Sequence, residues 1–419
     1  MSVVLIHRET CRLCESSDVE LVVKLKPIPP QEKYVDSAAL ARQIDLYPVD
    51  LYMCQECGHV QQLDVLDSET LWEGYTYFSG KAKGMVEHFN LFSSKVLNDY
   101  NPEKNSLVID VGSNDGSLLR PFKSNGYKVL GIDPAKEIAK AATASGIETI
   151  PDVLTLDLAQ EIKETRGAAS IITAFNAYAH ADNMREMTQG IQHMLAPDGL
   201  FFFEVQYLLD VIDKMLIGTI FHEHMSHHSV KPMIRFLEDF DLELIDIKRV
   251  PIQHGSLIGT VQHKGGSYEI NTSVQEMIEL ENQTKLDKVE TLENFNNKLL
   301  GLQKEAKKLV NLFRDTNASV AGYGAARSGQ TLISQYGFDG VLEYILDDHP
   351  QKIYKYPAGE GIQVLPTEEL YKRMPDYTII LAWVHSEKIV KSNQEYLNKG
   401  GKFVILSPEL KVVESRPDK

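Results

Sequence analysis

Ser106-Leu-Val-Ile-Asp-Val-Gly112-Ser-Asn-Asp-Gly116-Ser-Leu-Leu119 decides how the rest of the chain is read. Its first half is a short apolar run of the kind that forms a buried strand, and its glycines then turn the chain into a helix. A second strand, KVLGID, follows at 128–133. Further strands are expected at SIITAFNA (170–177) and LFFFEVQ (200–206), separated by a helical MREMTQGIQHML at 184–195. Strands alternating with helices imply a mostly parallel sheet covered on both faces. The rhythm resumes at Ser319, where SVAGYGA, LEYILDD, YTIILAW and KFVILS read as strands. Between the two α/β halves, residues 273–314 carry a helical pattern, with Val289, Leu292, Phe295, Leu299, Leu302, Ala306 and Leu309 on one stripe. It reads as an amphipathic connector docked on a neighbouring domain.

Asp110, Gly112, Asn114, Asp115 and Gly116 make a strand–loop–helix turn that lets a ligand approach the backbone. Asp133 closes the next strand, where a carboxylate suits the two hydroxyls of a ribose. The G-x-x-x-G spacing differs from the phosphate-cradling G-x-G-x-x-G. A nucleoside without phosphate fits such a loop better, and S-adenosylmethionine (SAM) is the expected cofactor.

All four cysteines fall into two pairs, Cys11-x-x-Cys14 and Cys54-x-x-Cys57. That spacing lets each pair of thiolates grip one metal, so a structural zinc ion held by all four cysteines is expected. It would staple an N-terminal module too small to hold a core alone. Disulfides are the alternative, but the start MSVVLIHRETCRLC is no signal peptide, and a reducing compartment disfavours them. No apolar run approaches the ~20 residues of a membrane span, and a cytoplasmic location is expected. Forty-three Lys+Arg against fifty-nine Asp+Glu give a net charge of −16, which weighs against nucleic-acid binding.

Residues 221–228 read Phe-His-Glu-His-Met-Ser-His-His. Such a run has three readings: a metal site, acid–base chemistry near neutral pH, or exposed loop histidines. The second glycine loop, Gly322-Tyr-Gly324-Ala-Ala-Arg327-Ser-Gly329, with Asp347 one βαβ step later, reads as an NAD site, a tight turn, or a helix N-terminus that receives a pyrophosphate.

VIDVGSNDGSLL, GIDPA, ITAFNAYAHADN, LAPDGLFFFEVQYLLD and GTIFHEHMS together resemble the sugar C-methyltransferases that act on nucleotide-linked 4-keto-deoxysugars. The resemblance covers nearly the whole chain. It implies an α/β protein with a zinc-binding module (1–70), a Rossmann-like class I methyltransferase domain (71–270), a helical connector (271–315) and a C-terminal Rossmann-like nucleotide-sugar-binding domain (316–419). The family pattern Tyr-His-Glu-His makes His224 the base that removes the proton alpha to the ketone, with Glu223 as its orienting neighbour. His222 and His227 are the neighbours that could stand in for it. His180 matches an active-site His that hydrogen-bonds the keto oxygen, and Tyr75 or Tyr77 matches a tyrosine reaching the site from the zinc module. Asn176 joins the cofactor residues. Phe221, His254, Ser256, Tyr323, Arg327 and Asp347 fall on the nucleotide-sugar side, which selects the third reading of the second glycine loop.

The chain departs from that pattern at Phe221 (Tyr in the family), at His227-His228 (Tyr-Phe), at Ile258 (Arg) and at Ser328 (Lys). All four departures lie on the substrate side. The expected partner is a small nucleotide-sugar, with neither nucleic acid nor membrane, and the expected state is a monomer or weak homodimer. The competing readings are a methyltransferase for another acceptor, a zinc-ribbon RNA methyltransferase and an NAD-dependent oxidoreductase.

Overall fold

The strand ahead of Gly112, β1 (Leu107–Val111), is buried along its whole length and lies inside a seven-stranded sheet. With β2 (Lys128–Ile132), β3 (Thr149–Ile150), β4 (Ala169–Phe175), β5 (Leu195–Gln206), β6 (Leu242–Val250) and β7 (Ser256–His263), the order is β6-β7-β5-β4-β1-β2-β3. Every neighbouring pair is parallel except those involving β7, which runs antiparallel to both β5 and β6. β2 and β4 flank β1, so the connections leave in opposite directions there and open a crevice at the strands' carboxyl ends. The computed structural model describes residues 4–72 and 77–415.

Aromatic side chains close one face of this sheet. Helix α1 (Lys83–Tyr100) sends Phe92 against Phe175 of β4 and Phe202 of β5, with ring centroids 4.5 and 5.3 Å apart. Gly112 has φ +75°, and a Cβ there would stand 2.2 Å from the Ala177 methyl. Only glycine meets both demands, which is why the turn after β1 carries it.

The described residues divide into two compact units. The first draws on Met1–Glu20, Met53–Leu209 and Met225–Lys288, and holds the cysteine pairs and the seven-stranded sheet. The second draws on Leu21–Tyr52, Asp210–His224 and Val289–Lys419. Its sheet joins β8 (Val320–Tyr323), β9 (Tyr344–Leu346), β10 (Gln363–Leu365), β11 (Tyr377–Ile380), β12 (Lys402–Ile405) and β13 (Lys411–Val413) in the order β10-β9-β8-β11-β12-β13. Only β13 is antiparallel to its neighbour. The fold is therefore mixed α/β, with a Rossmann-like seven-stranded sheet, an N-terminal four-cysteine module and a second, mostly parallel sheet toward the C-terminus.

Two local readings change. The single long helical pattern is two helices, Thr272–Gln283 and α2 (Val289–Thr316). Thr284 turns its hydroxyl back onto the Leu280 carbonyl, Lys285 adopts φ 52°, and Leu286 turns into the interior, so the stripe is interrupted. The α2 stripe itself holds, with Leu292, Phe295, Leu299, Ala306 and Leu309 buried and Leu302 half-buried. The strands β3, β6, β7, β10 and β13 are additions to the sequence reading. No described helix is long and apolar enough to cross a membrane.

Candidate active site

The two cysteine pairs converge. Their four sulfurs lie within 4.8 Å of one another, with Cys11 to Cys57 at 3.7 Å and Cys14 to Cys54 at 3.5 Å. Sulfurs held tetrahedrally about 2.3 Å from one zinc stand about 3.8 Å apart, so the set fits the ion with little movement. Charge supports the same fit. The hydrogen bond from Cys57 pulls the Cys11 thiol down to about 5 and pushes Cys57 up, while burial lifts Cys14 to about 11. Four thiols this close can ionise together only around a cation. Four sulfur ligands also leave no position for water, which makes the metal structural.

The loop Gly112–Gly116 sits at the crevice. Asn114 adopts φ 48° and Gly116 φ +74°. Asp133 Oδ2 accepts from the Asn114 N–H (2.8 Å) and Oδ1 from the Ala135 N–H (2.9 Å), so this buried carboxylate braces the loop from the end of β2. Burial pushes Asp133 upward. Asp110 is enclosed and bonded to Thr173 Oγ1 at 2.6 Å, and burial raises it to about 7. Asn114 and Asp115 reach sideways. Asn114 Oδ1 accepts from Ser79 N (2.9 Å), its Nδ2 donates to Tyr77 O (2.9 Å), and Asp115 Oδ2 accepts from Gly80 N (3.0 Å). The segment 77–80 is thus fastened to the loop, a contact no local sequence signal announces. Tyr77 is exposed, and Tyr75 lies outside the described residues.

Two more residues read from the sequence follow β4 in the first unit. Asn176, at φ 52°, directly follows the strand, and His180 closes the turn Tyr178–His180 with its ring 5.8 Å from Trp72. A partner for Asn176 escaped the sequence reading: its Nδ2 donates to Glu204 Oε1 at 3.1 Å, and Glu204 also holds His88. His254 and Ser256 stand at the turn before and the start of β7, where Ser256 Oγ donates to Ile252 O at 3.2 Å.

The histidine run is not one cluster. His222, Glu223 and His224 belong to the second unit, while His227 and His228 return to the first. His227 and His228 are enclosed, and burial pulls them down to about 4 and about 3. His222 is also enclosed, with its edge toward Tyr47 O at 3.3 Å, and burial pulls it to about 4. These three are neutral interior rings. Among the described residues only the cysteine set groups three or more ligands closely enough for a metal, which overturns the metal reading of this run. His224 is half-buried, its Nδ1 2.7 Å from Thr219 O and its ring 4.1 Å from that of Phe221.

Within the second unit, the Arg327 guanidinium lies 3.8 Å from Glu223 Oε1 and 5.9 Å from the Phe221 ring centre. Burial raises the Glu223 carboxyl and Arg327 opposes that rise. The loop carrying Arg327 leaves β8 after Tyr323. Gly324 takes φ +93° there, and a Cβ on it would meet that of Ala382 at 2.3 Å. Asp347 Oδ2 accepts from the Ala325 N–H (2.8 Å), and the Ala325 carbonyl accepts from Tyr34 Oη and Lys352 Nζ, each at 2.9 Å.

Three family models tile this chain: "Putative zinc binding domain" over residues 11–72, "Methyltransferase domain" over 84–247 and "C-methyltransferase C-terminal domain" over 251–408. The C-methyltransferase NovU of Streptomyces niveus is 28% identical over 408 residues, covering 97% of each chain. Among solved structures, magnesium protoporphyrin IX methyltransferase (ChlM) from Synechocystis PCC 6803 with bound SAH matches 45% of this chain and 89% of its own, at 19% identity and a TM-score of 0.34. A SAM-dependent methyltransferase from Clostridium acetobutylicum ATCC 824 matches 43% of this chain and 92% of its own, at 11% identity and a TM-score of 0.35. The sequence models, the full-length relative and the four-cysteine site agree: the chain joins a zinc-binding domain, a methyltransferase domain and a C-methyltransferase C-terminal domain, and it is a SAM-dependent methyltransferase.

Proposed function

We propose that this chain moves a methyl group from SAM to the carbon alpha to the ketone of a nucleotide-linked keto-deoxysugar. The observation that carries the proposal is the 2.7 Å contact between His224 Nδ1 and Thr219 O. A carbonyl only accepts, so Nδ1 keeps the ring proton and the basic lone pair belongs to Nε2. That tautomer makes Nε2 the atom able to take a proton as a general base.

In this reading Nε2 of His224 takes the proton alpha to the ketone. The C–H electron pair becomes a C=C bond, and the carbonyl pair moves onto oxygen. His180 donates to that oxygen as its charge grows. Bound SAM supplies an electrophilic methyl on a sulfonium. The enolate carbon forms the new C–C bond, and the departing pair stays on sulfur. Glu223, held by Arg327, orients the base-bearing turn, while Phe221, His254 and Ser256 face the sugar. The Tyr323–Arg327 loop, braced by Asp347 through the Ala325 N–H, receives the nucleotide diphosphate, for which the Arg327 guanidinium supplies charge. A relative named as a C-methyltransferase supports carbon as the methylated atom.

Incubating the chain with SAM and a panel of nucleotide-linked 4-keto-deoxysugars tests the reading. A product heavier by one methylene, with a new carbon-bound methyl in its NMR spectrum, is expected. Methylation on oxygen alone, or of no member of the panel, would count against it.

A further inference from the structure

We infer that His88 and Glu204 are positioning residues that set the Asn176 amide, so that its Oδ1 receives the ammonium of the methyl donor's methionyl arm. The inference rests on donor binding in the crevice beside Gly112.

Glu204 lies on β5 with no exposed surface. A carboxylate enclosed like this is costly unless its oxygens are satisfied. Both are. Oε2 meets Nε2 of His88 at 2.5 Å, and Oε1 accepts from Nδ2 of Asn176 at 3.1 Å. The backbone adds a third tie, from Asn176 N to Glu204 O at 2.9 Å. His88 comes from α1, with its side chain 14% exposed, so the partner on one side of the carboxylate is itself held by the helix.

A carboxylate has acceptors only, so the Asn176 amide must turn its NH2 toward Glu204. Its Oδ1 then faces the other way. Asn176 stands at the carboxyl end of β4, where Thr173 is level with Asp110 of β1. The next residue, Ala177, packs against Gly112. The left-handed backbone of Asn176, at φ 52°, is a conformation that asparagine tolerates better than most residues. The amide oxygen is therefore an acceptor fixed beside the donor loop, and an ammonium, which only donates, is its natural complement.

Glu204→Gln tests this because glutamine can donate. Its NH2 can bond Asn176 Oδ1 and turn the asparagine amide over, presenting donors to an ammonium. Calorimetry on the full chain would compare S-adenosylhomocysteine with 5′-methylthioadenosine, which lacks the amino-acid arm. In Glu204→Gln and Asn176→Ala, S-adenosylhomocysteine should bind about tenfold more weakly or worse, while 5′-methylthioadenosine stays within about twofold. His88→Gln still donates to Glu204 and should keep S-adenosylhomocysteine affinity, whereas His88→Leu should lose it. Equal weakening of both ligands, or an unchanged S-adenosylhomocysteine affinity, would overturn the inference. A wild-type chain that binds neither ligand would instead overturn the donor-site reading beneath it.

Discussion

His224 Nδ1 lies 2.7 Å from the carbonyl oxygen of Thr219, which ties the imidazole to the turn Ile217–Thr219 that precedes it. The bond assigns the ring proton to Nδ1 and leaves basicity to Nε2. The Phe221 ring 4.1 Å away restricts the imidazole further. His222, in the same run, is enclosed and pulled down to about 4 by burial, which makes it a poor base near neutral pH.

The zinc centre should govern stability before it governs chemistry. Cys54→Ser removes one of four sulfurs and should lower both the zinc content and the melting temperature. Elemental analysis and thermal unfolding check this. A wild-type preparation free of zinc, made without chelator, would contradict the assignment.

Asp133 braces the Gly112–Gly116 loop through the N–H groups of Asn114 and Ala135. Asp133→Ala removes charge-assisted hydrogen bonds of about 1.5–3 kcal/mol each. SAM binding should weaken by at least about tenfold, with nucleotide-sugar affinity near wild type. An unchanged dissociation constant in calorimetry would mean the loop does not hold the donor.

Burial raises Asp110 from 3.8 to about 7. Between those values the folded chain keeps a proton that the unfolded chain has released, so stability falls as pH rises from about 4 to about 7 and levels off above. Asp110→Asn cannot ionise and should flatten that slope. Denaturant unfolding of the ligand-free chain at several pH values reads it directly, and identical slopes in the two proteins would refute the account of Asp110.

Arg327→Ala should weaken nucleoside diphosphate binding by about tenfold, the scale of a charge-assisted contact, and leave S-adenosylhomocysteine binding unchanged. Loss of both affinities in calorimetry would assign Arg327 a structural role instead.

Much of this molecule is legible in local pattern. The apolar runs of β1, β2, β4 and β5 announce a parallel sheet because strands buried on both faces need continuous apolar residues. The cysteine pairs announce their metal because ligand spacing is local. The antiparallel β7 and its neighbour β6 are harder: β6 mixes Glu243, Asp246, Lys248 and Arg249 with its apolar residues, and its place depends on pairing across the sheet. The histidine run misleads for a related reason. Proximity in sequence does not survive where the chain passes from one unit to the other between His224 and Met225. The contact of His88 with Glu204 spans 116 residues and has no local signature.

Hydrogen exchange at the carbon alpha to the ketone tests the central claim most directly. A nucleotide-linked 4-keto-deoxysugar that the enzyme methylates would be incubated in deuterium oxide with the enzyme and S-adenosylhomocysteine, so that deprotonation can occur without methyl transfer. The wild-type chain should wash deuterium into that carbon, and His224→Gln should do so ~10²-fold more slowly or not at all, with both ligands still bound. Exchange at the wild-type rate in His224→Gln would contradict the account at its centre.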